Sequence, residues 1–231
     1  MVKITLLPNV KRVFKEKLVR LATINMVILA IILVGAPAFA NYFNGGTRGY
    51  SGCTGAAATI ETADPIVVTN GSSSSWAAVV GSNSGQYVQV GWAKDYPNSP
   101  RFFTESRKSL GDPYDLKWWG STSAGAHNDY MVGRDSTTWY FKINGNVKTT
   151  VAVSALGWTG QYAYALGETW YSGDHCPGTV SNPVTIGNAQ YKNSSYVWNT
   201  AYLYPYNDNP TNFANNVNSN GDSLFEIWDK R

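Results

Sequence analysis

Histidine and cysteine are scarce in this sequence, with two of each in 231 residues. There is no Gly-rich phosphate loop, no Cys-x-x-Cys and no His-Glu-x-x-His, which removes the common nucleotide, dithiol and zinc-peptidase motifs. No Gly-x-Ser-x-Gly elbow is present, and neither His127 nor His175 sits in a recognisable catalytic motif. Asp174-His175-Cys176 holds ligand-type residues, but three adjacent ones suit a turn better than a metal site. After residue 40 no stretch keeps a 3.6-residue period, and no second apolar run approaches the length of a membrane span.

The first forty residues differ from the rest. Lys3, Lys11, Arg12, Lys15, Lys17 and Arg20 face a single acid, Glu16, and an apolar run follows from Leu21 to Phe39. It ends in Ala38-Phe39-Ala40, a small-x-small exit. Basic region, apolar region and exit together read as a secretory signal peptide over 1–40, which meets the membrane only in transit. The alternative is a retained anchor. Of 18 basic and 15 acidic residues, the leader carries six and one. The 12 and 14 that remain give a net charge of −2 and no basic run, so nucleic acid is not an expected partner.

Residues 41–231 read as one extracellular domain. They hold all nine Trp and all fifteen Tyr. Short runs with period-two alternation recur between Gly, Asn, Pro and Ser punctuation. Strands are expected near 57–61, 65–69, 76–80, 86–92, 101–106, 115–119, 128–133, 138–143, 147–153, 161–168, 183–187, 195–199 and 224–228. Asn144-Gly145-Asn146 reads as a hairpin turn. The Asn-rich stretch 205–223 reads as a long loop. So many strands in under 200 residues predict an all-β fold, a two-sheet antiparallel jelly-roll sandwich. Cys53 and Cys176, both facing an oxidising compartment after export, are expected to form a disulfide.

Strand faces suggest a site. In Tyr87-Val88-Gln89-Val90-Gly91-Trp92, alternation sends Val88, Val90 and Trp92 one way and Tyr87 and Gln89 the other. Phe103 and Glu105 share a face, as do Tyr162, Tyr164 and Glu168. Each of three strands therefore aligns one amide or carboxyl with aromatic residues, the pattern of an aromatic-walled groove with a few convergent polar groups. The plain alternative is a solvent-facing sheet surface.

The order of segments resembles the eqolisins, the glutamic peptidases. The matching stretches are Ser75-Trp76-Ala77-Ala78-Val79, Val88-Gln89-Val90-Gly91-Trp92, Phe102-Phe103-Thr104-Glu105 and Ala165-Leu166-Gly167-Glu168, with Gly49-Tyr50-Ser51-Gly52 at the start. The chain departs from the family pattern at Val79-Val80-Gly81-Ser82, where an Asp-Gly is usual, and at Tyr164-Ala165, where an acidic-Trp pair is usual. The resemblance implies a secreted β-sandwich hydrolase with a Gln89–Glu168 dyad and Glu105 as an auxiliary polar group. Substrate contacts are expected on the aromatic wall of that groove, Tyr87, Phe103 and Tyr164, with Trp76; the resemblance implies an acidic optimum and no metal or cofactor. The expected partner is an extracellular polypeptide. The alternative is a carbohydrate-binding or carbohydrate-cleaving jelly roll acting on glycan, with Glu105 and Glu168 as its carboxylate pair, or a non-catalytic relative.

Overall fold

A computed structural model describes residues 41–83 and 85–231. The signal-peptide reading falls on residues 1–40, outside the described residues.

The chain alternates between two antiparallel sheets. The first contains β1 (Tyr42–Cys53), β3 (Ser72–Gly81), β4 (Tyr87–Asp95), β5 (Arg101–Arg107), β6 (Asp115–Ser121), β10 (Gly160–Thr169) and β13 (Tyr204–Asn207). Their order in space is β13-β1-β10-β3-β4-β5-β6. The second contains β2 (Gly55–Glu61), β7 (His127–Arg134), β8 (Thr138–Ile143), β9 (Asn146–Ala152), β11 (Val184–Lys192), β14 (Phe213–Asn215) and β15 (Phe225–Asp229). Their order is β14-β15-β11-β2-β7-β8-β9, and β12 (Trp198–Thr200) pairs with β11. This is a jelly-roll sandwich. The one described α-helix, α1, is a single turn over Val153–Leu156.

The pleat explains the core. Val88, Val90 and Trp92 of β4 are fully buried, with Ala77, Val79, Ala163 and Ala165 beside them. From the second sheet Ile60, Val132, Trp139, Phe141, Ile143, Ile186 and Ile227 meet them. Burying a side chain of this size is worth about 1.5–3 kcal/mol. Asn144 and Gly145 take φ of 50° and 76°, the left-handed pair that a two-residue hairpin needs.

Several expectations are corrected. Residues 65–69 form a loop, not a strand. The buried Asp174 carboxylate accepts from the backbone N–H groups of Val68, Ser72 and Tyr171 at 2.9, 3.1 and 2.9 Å, supplying bonds that a neighbouring strand would otherwise give. The stretch 205–223 is not all loop, since it contributes to β13 and contains β14. Asparagine side chains tie these strands down: Asn207 donates to the Phe213 carbonyl and Asn215 to Asn44 Oδ1. The glycine-rich β1 shows no alternation in its sequence, yet it pairs along most of β10. A Cβ at Gly46 would lie 2.7 Å from Leu203 Cβ, so small residues let β1 lie close under its neighbours.

The expected disulfide is absent: Cys53 and Cys176 are both free and buried. Cys53 ends β1, whereas Cys176 lies against Asn44, near the start of that strand. Nine residues of strand span roughly 30 Å, far beyond the 4.4–6.8 Å or so between the Cα atoms of a disulfide. Burial pushes the thiols up to about 11 and about 12, which keeps them protonated and unreactive.

Candidate active site

The outer face of the first sheet carries three cross-strand rows. One runs Tyr164, Ala78, Gln89, Glu105, Leu116 across β10, β3, β4, β5 and β6. The next runs Leu166, Trp76, Gly91, Phe103, Trp118. The third begins Glu168, Ser74, Ala93. Gln89 and Glu168 thus flank a middle row whose glycine leaves room for Trp76. A Cβ at Gly91 would come 2.6 Å from Trp76 Cβ and would also meet the Ser75 carbonyl. The rows enclose a groove of about 360 Å³ lined by Gln89, Glu105, Glu168, Phe103, Trp118 and others.

Glu168 is 8% exposed. Its Oε2 accepts from the Trp76 indole N–H at 2.9 Å, and its Oε1 from the Asn41 side-chain amide at 2.9 Å. Both donors are neutral. Burial pushes its pKa up to about 7, Glu105 and Asp208 push the same way, and the two donors only partly offset this. The carboxyl therefore changes charge near neutrality, the condition for a general acid or base.

Gln89 pairs with Glu105, not directly with Glu168. Its Nε2 donates to Glu105 Oε2 at 2.9 Å, and Tyr87 Oη donates to Glu105 Oε1 at 2.5 Å. The Glu105 carboxylate fixes which way the amide points. An amide nitrogen has two hydrogens, and among the described residues the second has no acceptor. Burial raises the pKa of Glu105, and the Tyr87 and Gln89 donors and the charge of Arg107 pull it back. Burial and the neighbouring Glu105 raise Tyr87, so it stays a donor.

Tyr87, Gln89, Phe103, Glu105, Trp76, Tyr164 and Glu168 all lie on the first sheet with the rows described above, in different roles, whereas His127 belongs to β7 of the second sheet. Trp76 is 4% exposed and serves Glu168 as a donor, with no open ring face for a ligand. Phe103 is equally buried and forms floor with Trp76, Ala78, Ala93 and Leu166. Tyr164 is half-buried beside the exposed Tyr162, and their rings meet edge-on at 6.1 Å. Asn41 was not foreseen. Its only signal is its place directly after Ala40. Among the described residues no three His, Cys, Asp or Glu gather to hold a metal.

No protein-family model matches the chain, and no curated protein does. Among solved structures it is similar to Scytalido-glutamic peptidase with a peptide-based transition state analog, at 11% identity and a TM-score of 0.53. The match covers 82% of this chain and 98% of that one. It is similar as well to SCP-B, a member of the eqolisin family of peptidases, in complex with the tripeptide Ala-Ile-His. There the identity is 10%, the TM-score 0.55 and the coverage again 82% and 98%. At such identities the likeness establishes the jelly-roll fold. A family 16 glycoside hydrolase from Bacteroides ovatus matches over 57% of this chain at a TM-score of 0.38 and 9% identity, too low to bear on function.

Proposed function

We propose that this chain is an exported hydrolase that cleaves peptide bonds of extracellular polypeptides in the groove of its first sheet. The observation that carries the reading is the buried Glu168 carboxyl, without a cationic partner among the described residues, sharing one groove with an oriented Gln89 amide. Glu168 as carboxylate takes a proton from the attacking water. The oxygen bonds to the scissile carbonyl carbon, and the developing oxyanion accepts from the free Gln89 N–H. Such a donor is typically worth about 3–4 kcal/mol of barrier. Glu168 then returns the proton to the leaving amine as the C–N bond breaks. Glu105 and Tyr87 hold the Gln89 amide in place and do not touch the reacting atoms. None of these steps calls on a metal.

The base sets the pH dependence. With Asn41 in peptide linkage Glu168 ionises near 7, so kcat/KM rises with pH through about 7 and levels above it. That limb lies above the acidic optimum that the family resemblance implies.

One feature favours glycan as a second ligand class. Tyr162, Tyr204 and Tyr206 are exposed on the same sheet, on β10 and β13, and tyrosine rings stack on sugars. Assaying the parent and Glu168→Gln on a mixed-protein substrate and a glycan panel, with and without EDTA, separates the readings. The peptidase reading expects protein cleavage by the parent that is insensitive to EDTA and abolished in the variant. Cleavage of glycans alone, or undiminished proteolysis by the variant, overturns it.

A further inference from the structure

Asn41 directly follows Ala38-Phe39-Ala40, and its side-chain amide donates to Glu168 at 2.9 Å. Four bonds join that amide nitrogen to the residue's own backbone nitrogen. Standard bond lengths therefore keep the backbone nitrogen within roughly 8 Å of the carboxylate. In the uncut chain this nitrogen is a neutral peptide group. Hydrolysis of the Ala40–Asn41 bond adds water across it, leaving a carboxylate on Ala40 and an amine on Asn41. The amine is protonated below its ordinary pKa of about 7.7–8.0.

We infer that leader removal completes the active site, because the new α-ammonium of Asn41 becomes the cation that faces Glu168.

The surroundings leave that position open. Glu105 on β5 and Asp208, next to β13, bear on Glu168 as acids, and its two hydrogen-bond donors, Trp76 on β3 and Asn41, are neutral. Arg107 acts on Glu105 and Tyr87, and Arg101 is paired with Asp95 at 2.8 Å. Among the described residues no cation serves Glu168, although a buried carboxylate is costly without one. An ammonium at this distance favours the ionised form and moves the acid limb of activity downward, toward the acidic range. The leader-bearing chain keeps Glu168 largely protonated below neutrality, so leader removal extends activity into the acidic range rather than creating it. The activity arm of this inference rests on the proposed role of Glu168 as base. The electrostatic arm does not.

The test uses the full chain expressed in a secreting host, with glutamate labelled at its side-chain carboxyl carbon. The first residue of the product is read by mass spectrometry. Glu168, assigned with Glu168→Gln, is titrated by NMR before and after selective acetylation of the α-amine. The expected product begins at Asn41, and acetylation raises the Glu168 midpoint by about one pH unit or more. The acid limb of kcat/KM moves with it. Asn41→Ala, which keeps the ammonium and loses the amide, retains that response. A different first residue, an unmoved midpoint, or loss of the response in Asn41→Ala overturns the inference. A midpoint that moves in a protein cleaving no polypeptide supports the ammonium assignment and removes the peptidase reading instead.

Discussion

Two buried acids in this molecule have opposite surroundings. Asp229, at the end of β15, is 1% exposed. Its burial pushes the pKa up, but the Arg231 guanidinium and the backbone N–H groups of Arg231 and Cys176 outweigh this and hold it below the usual carboxylate range. Arg231 meets it at 2.8 Å, and His175 Nδ1 lies 3.6 Å away. Glu168 is almost as buried, but it has two neutral donors and two acidic neighbours. One carboxylate is locked in its charged form and ties the last strand to the 172–176 turn. The other is left able to gain and lose a proton inside an open groove. Burial alone therefore does not decide which way a carboxyl's pKa moves; the presence or absence of a cation beside it does.

The largest expected contrast is catalytic. Gln89→Ala lowers the proteolytic rate about a hundredfold or more, measured as kcat/KM on a peptide substrate. Asp229→Asn leaves that rate unchanged at temperatures where the fold persists. Equal losses in the two variants would erase the distinction.

Stability should show the reverse. Asp229→Asn removes the charged acceptor of an ion pair whose other member, Arg231, reaches solvent, and costs about 1.5–3 kcal/mol in denaturant unfolding at pH 7. Its pH dependence has a definite sign: the folded pKa is depressed, so the stabilisation exists above the unfolded value and is lost as pH falls through the folded one. Glu168 has the opposite sign. Its folded pKa is raised from 4.5 to about 7, so the folded state binds the extra proton between those values and stability falls as pH rises. The full effect is about 3 kcal/mol. In protein whose Asn41 nitrogen is acylated, Glu168→Gln is therefore expected to exceed the parent in stability at pH 8 and to match it near pH 4. A variant less stable than the parent at pH 8 would mean that the carboxylate is held as firmly as Asp229.

Smaller in expected size, Gly91→Ala crowds Trp76 and costs about 1–3 kcal/mol, while disturbing the indole that donates to Glu168. A melting curve and a rate on the same sample check both effects. At the bottom of the scale, a reducing agent leaves the melting temperature unchanged, because Cys53 and Cys176 are not joined.

Which parts of this were legible follows from what a sequence encodes locally. Period-two alternation told the faces of β4, β5 and β10 correctly, because the pleat forces Val88, Val90 and Trp92 inward once Gln89 points out. The Gln89–Glu105 contact was also within reach. A turn at Tyr96-Pro97-Asn98 closing β4 onto β5 sets residues eight steps either side of 97 opposite each other, as the register shows. β1 left no such trace, because close packing needed glycines where alternation would have shown. The cysteines were misread because their separation depends on which end of β1 each occupies, and that is a property of the whole sheet. Asn41 and Trp76 reach Glu168 from the segment before β1 and from β3, and no spacing along the chain announces either contact.

The most direct test of the contrast is a carboxyl-carbon NMR titration of Glu168 and Asp229 in one sample, in protein whose Asn41 nitrogen is still acylated. Glu168 is expected to titrate near pH 7 and Asp229 below the usual carboxylate range. A Glu168 that titrates at or below about 4.3, the ordinary glutamate value, would contradict the account, because the groove would then hold no carboxyl poised to take a proton from water.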